Sequence, residues 1–212
     1  MSICAEILKG FDLECLGAEF KKYYQNIVLI NKKDVKEFYI NSTTSFNRIY
    51  FNLNEGKTGF LFRSSENGSS LTASFSKTER KGIVYYNHRL QVPVVGANEA
   101  SKTMLKQLDF SDYFAAIHFK DGTIEIHGFN YGLKTDGYTY EPQGQGGGII
   151  PLVSRYEEYD PPYTYYPSLN DIANVEQQAI TDFNNLFANI PDIYQGDFND
   201  DFNDDFFIEP FT

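Results

Sequence analysis

Tryptophan is absent from the chain, cysteine occurs twice, histidine three times, and no lysine or arginine follows Arg155 in a sequence of 212 residues. Each scarcity removes a class of explanation. With only Cys4 and Cys15 available, both near the start, a single disulfide is geometrically open but nothing in the sequence supports it. His88, His118 and His127 are the whole imidazole supply and do not combine with the cysteines at metal-ligand spacing, so neither a metal nor a cofactor is expected. No run of about 18 apolar residues exists, which excludes an ordinary membrane-spanning helix. The opening MSICAEILKG lacks the basic and apolar regions of a signal peptide, so a reducing compartment is the expected setting.

What is abundant is aromatic. Phe and Tyr, 19 and 16 of them, make up the aromatic 17% of the chain. That supply suits a strand-rich protein with large half-exposed faces. The formal charge of −11 is unevenly distributed: 18 Lys and Arg against 16 Asp and Glu up to Arg155, then 13 acidic residues and no basic one over 156–212. A near-neutral body therefore carries an acidic extension, which suits either a basic partner surface or repulsion of a polyanion. The same charge would also solvate an unfolded tail.

The extension ends in a repeat. Residues Asp197 to Phe207 read DFND-DFND-DFF, placing Phe198, Phe202 and Phe206 every fourth residue, with Phe207 and Phe211 following. Asp200, Asp201, Asp204 and Asp205 stand between these anchors and keep the segment in solution. Burial of a few phenylalanines does not by itself offset the ordering of about twenty backbone residues. The segment is therefore expected to dock in a groove supplied by another subunit or protein. The acceptor expected for it is the one basic cluster, Lys32, Lys33 and Lys36, with Lys21 and Lys22 upstream.

Along the body, turn chemistry separates strand-like runs. Asn31 to Asp34 lies between Tyr23–Ile30 and Val35–Ile40, and Asn54 to Lys57 lies between Arg48–Leu53 and Thr58–Arg63, so each set reads as a hairpin. Leu71–Arg80 and Ile83–Val95 are joined at Lys81-Gly82 as a long hairpin with edges that want a neighbour. Ala97 to Asp109 reads as a helix capped by Asn98, with Met104, Leu105 and Leu108 on one face. Asp121-Gly122 predicts a two-residue turn in Ala115–Phe129. Its register sets His118 opposite Glu125 and puts Ile117, Phe119, Ile124 and Ile126 on one core face, with His118, Lys120, Thr123 and Glu125 on the other. Gln143 to Gly148 reads as a flexible loop before a strand over Ile149–Tyr156. Tyr163, Tyr165 and Tyr166, between Asp160-Pro161-Pro162 and Pro167, suit an extended polyproline-like segment. Asp171 to Ile190 has helical apolar spacing and ends at Pro191.

The expected architecture is mainly β, an antiparallel sandwich or barrel with one flanking helix over residues 1–159. An extension over 160–212 holds a second helix and the acidic tail. Chemistry is thin. His118 and Glu125 are the most enzyme-like pair, but no nucleophile or second acid accompanies them, so they read as a polar surface pair and no enzyme is expected. QGQGGG lacks the Lys and Ser/Thr of a phosphate-binding loop.

The order of these elements resembles that of tail tube and related tail structural proteins of tailed bacteriophages. The resemblance spans Ile3 to Tyr159: paired hairpins, the runs TASFSKTER and IVYYNHRLQVPVV, the helix ANEASKTMLKQLD, the hairpin AAIHFKDGTIEIHGF and a closing strand near GGIIPLVSRYEEY. It is carried by order and kind of element, with no signature motif, and the acidic extension departs from a minimal tube subunit. It implies a ring-forming virion subunit, hexameric in the manner of that family, assembled in the host cytoplasm. Such a subunit meets itself and other tail or neck proteins, and DNA only by passage. The alternative is a carbohydrate- or receptor-binding β-sandwich using Tyr138, Tyr140, Tyr163 and Tyr165 as platforms.

Overall fold

The computed structural model describes residues 24–42, 47–63, 71–119, 122–143, 146–167 and 174–188. Cys4, Cys15, Lys21, Lys22 and the repeat with Phe198, Phe202, Phe206, Phe207, Phe211 and Asp200, Asp201, Asp204, Asp205 lie outside them. Two strands organise what is described: β1 (Tyr24–Asn31) and β7 (Tyr113–Phe119), paired antiparallel along their length from Tyr24 opposite Phe119 to Asn31 opposite Tyr113. Their side chains alternate between two separate cores. Ile27, Leu29, Ala115 and Ile117 enter one, while Val28, Ile30, Phe114 and Ala116 enter the other. This is why IVLI and YFAAI are apolar at every position, with no alternation: both faces of the central strands are covered.

The sheet branches at β7. One of its edges takes β1, which pairs on its far side with β4 (Phe60–Arg63). The other edge is shared between β8 (Ile124–His127), opposite Ala115 to His118, and β9 (Leu133–Thr135), opposite Tyr113. From β8 the sheet runs on through β11 (Tyr163–Tyr165) and β3 (Asn47–Leu53) to β2 (Val35–Ser42). From β9 it continues through β10 (Gly147–Ser154) and β6 (Ile83–Val95) to β5 (Thr72–Arg80). Eleven strands thus form one open, mixed sheet that is mainly antiparallel, with β3 and β11 parallel. The mainly β class agrees with the sequence; closure into a barrel is not seen.

Helix α1 (Glu99–Phe110) covers the first core with Leu105 and Leu108. Asn98 caps it as expected, its side chain accepting from the Ser101 N–H at 2.9 Å. Helix α2 (Val175–Asp182), continued by a π-helical turn over Phe183–Phe187, covers the second core with Ala179, Phe183 and Phe187. Leu186, assigned by its spacing to the same apolar face, is instead 45% exposed. The wider π turn carries it away from the sheet. Residues beyond 160 therefore add a strand and a helix to the same cores as the body.

Three sequence expectations fail for identifiable reasons. β1 and β2 are not a hairpin, nor are β3 and β4: β2 pairs with β3, and β4 pairs with β1. The expected turns form, as a 3-10 turn over Lys32–Asp34 and a turn closed by the Lys57 N–H on the Asn54 carbonyl at 3.0 Å, but a strand apolar on both faces recruits two long-range neighbours and leaves its sequence neighbour to the edge. At the 119–123 turn, Phe119 N–H bonds Thr123 O and Gly122 N–H bonds Phe119 O. Three residues thus separate the bonded Phe119 and Thr123, with Gly122 at φ +86°, the loop form that places glycine in the left-handed region. The register moves by one, setting His118 opposite Ile124 and Ile117 opposite Glu125, so Ile117 and Ile124 belong to different cores. Last, Tyr163 and Tyr165 belong to a central strand and are each 2% exposed, not a polyproline segment.

The long hairpin does form. Thr72 to Arg80 pair with Gln91 to Ile83 across a two-residue turn in which Lys81 and Gly82 both take positive φ. Pro93 falls past the end of β5, where among the described residues β6 has β10 as its single neighbour.

Candidate binding site

The fork in the sheet leaves a junction between its branches, and polar residues collect there. His88 continues the inward series Leu90, Val92, Val94 of β6 and meets His127 of β8 edge-on, ring centres 5.1 Å apart. The Gly128 N–H donates to His88 Nδ1 at 2.9 Å. A second proton on that nitrogen would face this N–H, and burial opposes the charge. Burial first, then the neighbouring His127, lowers the His88 pKa to about 3, with the Asp160 carbonyl working in the opposite direction. His127 in turn lies 3.2 Å from Glu125 through Nε2 and Oε2. Glu125 therefore partners His127, two residues along its own strand. His118 is buried and packs its ring on Phe183 at 5.1 Å. The surface pair read from the sequence does not exist.

Glu158, bridged to β6 two residues before His88, is wholly buried. Its backbone is fixed by a two-bond bridge to Tyr86, both bonds 2.8 Å. The carboxylate accepts from the Tyr131 N–H at 3.4 Å, and its Oε2 has no partner among the described residues. Burial raises its pKa, against the lowering influence of the Asn130 amide, the Tyr131 N–H and the Lys32 charge. Asn130 is the hub of the cluster. Its carbonyl accepts from Lys32 Nζ at 2.7 Å, and its amide donates to the Tyr163 hydroxyl at 2.9 Å. That hydroxyl donates to Asp160 Oδ2 at 2.9 Å, and Asp160 Oδ1 accepts from Ser42 of β2 at 2.9 Å.

This network forms one wall of a pocket of about 590 Å³, within the usual range for ligand sites. Its apolar surface comes from Phe38, Ile40, Phe114 and Phe129, with Tyr131 and Tyr159 toward solvent. Phe129 holds Phe38 edge-on at 5.2 Å and Phe114 at 5.0 Å. Lys32 and Lys36 bring positive charge to it, because the single 3-10 turn Lys32–Asp34 leading into β2 sets residues 32 and 36 beside the same opening. Lys33, the third member of the cluster, is exposed and does not line the pocket.

The arrangement can hold an apolar or aromatic group between rings while offering cationic and amide donors to an acidic neighbour. Among the described residues no three His, Cys, Asp or Glu are placed to bind a metal ion, and no helix is long and apolar enough to cross a membrane. The tyrosines named for sugar platforms are otherwise engaged. Tyr163 and Tyr165 are buried, the Tyr138 hydroxyl donates to Asp109 at 3.1 Å, and that of Tyr140 donates to the Gly96 carbonyl. Sequence reasoning missed Asn130, Tyr131, Glu158, Tyr159 and Asp160. The dense EEYDPP run was the available signal, since acids and tyrosine beside two prolines mark a rigid polar segment. No family model matches the chain, and no curated protein or solved structure matches it.

Proposed function

We propose that the protein is a non-enzymatic structural subunit that assembles with copies of itself through the edges of its sheet. We further propose that the assembly is the tail of a tailed bacteriophage, in which ring-forming subunits build a conduit for DNA. The observation that carries the assembly reading is the open sheet. Its terminal strands β2 and β5 each pair on one side alone among the described residues, and such edges are templates for strand pairing between chains. They are also greasy. Phe38 and Tyr39 on β2 are 59% and 55% exposed, and Phe75 on β5 is 50% exposed. Nine-residue β5, held out by the 13-residue β6, is long for an edge strand that stays alone. The tail assignment itself rests on the order of elements in the sequence and on the acidity of the whole chain, which limits adhesion to DNA phosphates in a conduit.

Light scattering on the eluting protein, followed by negative-stain imaging, tests the reading. Rings or tubes support it, and a monomer that stays monomeric at high concentration and with tail or neck proteins overturns it. The pocket favours the second reading, a receptor- or carbohydrate-binding module. Its platforms would be Tyr131 and Tyr159, and glycan binding by a stable monomer would select it.

A further inference from the structure

We infer that the pocket beside Lys32 and Lys36 is the seat of the chain's own acidic phenylalanine repeat, with one of Phe198, Phe202 or Phe206 inserted between the rings and the flanking aspartates facing the two lysines. Three observations lead there. The chemistry matches in both parts: the pocket pairs an aromatic lining with two cations against one carboxylate, Asp160, whose oxygens are already held by Tyr163 and Ser42, and the repeat sets an aspartate directly before each of Phe198, Phe202 and Phe206. Acidic side chains set beside lysine gain charge-assisted hydrogen bonds, while the ring supplies the apolar contact.

The origin of the segment is also close. The described chain ends at Ala188, within the second core, just after Phe187. Phe187 stacks on Phe51 at 4.8 Å, and Phe51 lies 6.0 Å from Phe129, which lines the pocket. Nine residues separate Ala188 from Phe198. At roughly 3.3 Å each when extended they span about 30 Å, ample to reach the pocket of the same molecule and, in an assembly, that of a neighbour.

Finally, the repeat is reiterated. Three anchors on one tether, two of them in identical DFND settings, raise the local concentration of the binding group without any of them needing high affinity. The inference stands apart from the assembly reading, because docking within one chain satisfies it equally.

The absence of tryptophan supplies the test. Full-length chains carrying Phe198→Trp, Phe202→Trp or Phe206→Trp each report on the tail through a single indole. In at least one, emission should be shifted to the blue of an exposed indole and protected from acrylamide. The protection should fall away in high salt and with Lys36→Glu. Lys36 is the substitution of choice because it is exposed, whereas Lys32 anchors the Asn130 carbonyl. Protection that is independent of concentration places the tail in its own chain; protection lost on dilution places it in a neighbour. Both support the seat. If all three indoles are as exposed as in a free peptide of residues 195–208, the pocket belongs to another ligand and the inference fails. It fails equally if protection is indifferent to Lys36→Glu.

Discussion

Replacing His88 by glutamine should remove an acid-sensitive part of the protein's stability. His88 is buried, accepts a hydrogen bond from Gly128 through Nδ1 and has its pKa lowered from 6.5 to about 3. In the unfolded chain it binds a proton below its ordinary pKa; in the native chain it stays neutral. Between the two values the unfolded state therefore holds the extra proton, and stability is lost as pH falls. At 1.36 kcal/mol per unit, acidification from about pH 7 to about pH 5 costs about 2 kcal/mol through this residue alone. Glutamine can still accept from Gly128 but does not titrate. Denaturant unfolding of both proteins at the two pH values isolates the effect, since every other titrating group is common to them. The wild-type protein should lose about 2 kcal/mol more than the variant. Parallel losses would show that the imidazole is accessible to protons in the native state, contradicting the burial and the Gly128 bond.

Other perturbations give distinct outcomes. Glu158→Gln should act with the opposite sign: burial raises the native pKa, so the wild-type protein loses stability as pH rises past the unfolded carboxylate range, and melting curves of the variant should show a flatter decline toward neutral pH. Phe51→Ala empties a wholly buried position packed against Phe114, Phe187 and Tyr165, and denaturant titration should record a loss of about 3–5 kcal/mol. Tyr165→Phe removes the 2.9 Å hydrogen bond to Asp182 that ties β11 to α2, for a cost of about 1.5–3 kcal/mol and faster hydrogen exchange in the helix. Phe75→Lys places charge on the β5 edge and should shift the scattering mass toward monomer with little change in melting temperature.

The elements that could be read from the sequence are those whose determinants are contiguous. Lys81-Gly82 alone specifies its tight turn, and Asn98 with the Met104, Leu105, Leu108 face specifies α1. Pairing partners were not legible in the same way. Nothing near residues 31–34 states that β1 will pair with β7, and the clue lay in composition, since IVLI offers no polar face for solvent. The Asp121-Gly122 hairpin was recognised but read one residue out of register, because the same dipeptide serves two-residue and three-residue loops. That slip put Ile117 and Ile124 together and paired the wrong histidine with Glu125. Two of the pocket's three charged lining residues were visible in the lysine cluster, and the third, Asp160, was read only as turn chemistry before two prolines. Behind the wall, Glu158 looks like a surface acid until its bridge to Tyr86 is seen.

The branching at β7 also sets the order in which the molecule can be made. β1 must wait for β7, which lies 82 residues beyond its end, and the β2–β3 pair cannot join the sheet until β11 arrives more than 100 residues later. Contacts so distant in sequence slow folding, because loop closure precedes any gain from pairing. During synthesis the β2–β3 ribbon leaves the ribosome with an unpaired edge and keeps it until the last quarter of the chain follows. The nascent protein thus spends much of its synthesis able to capture, or be captured by, a strand from another chain.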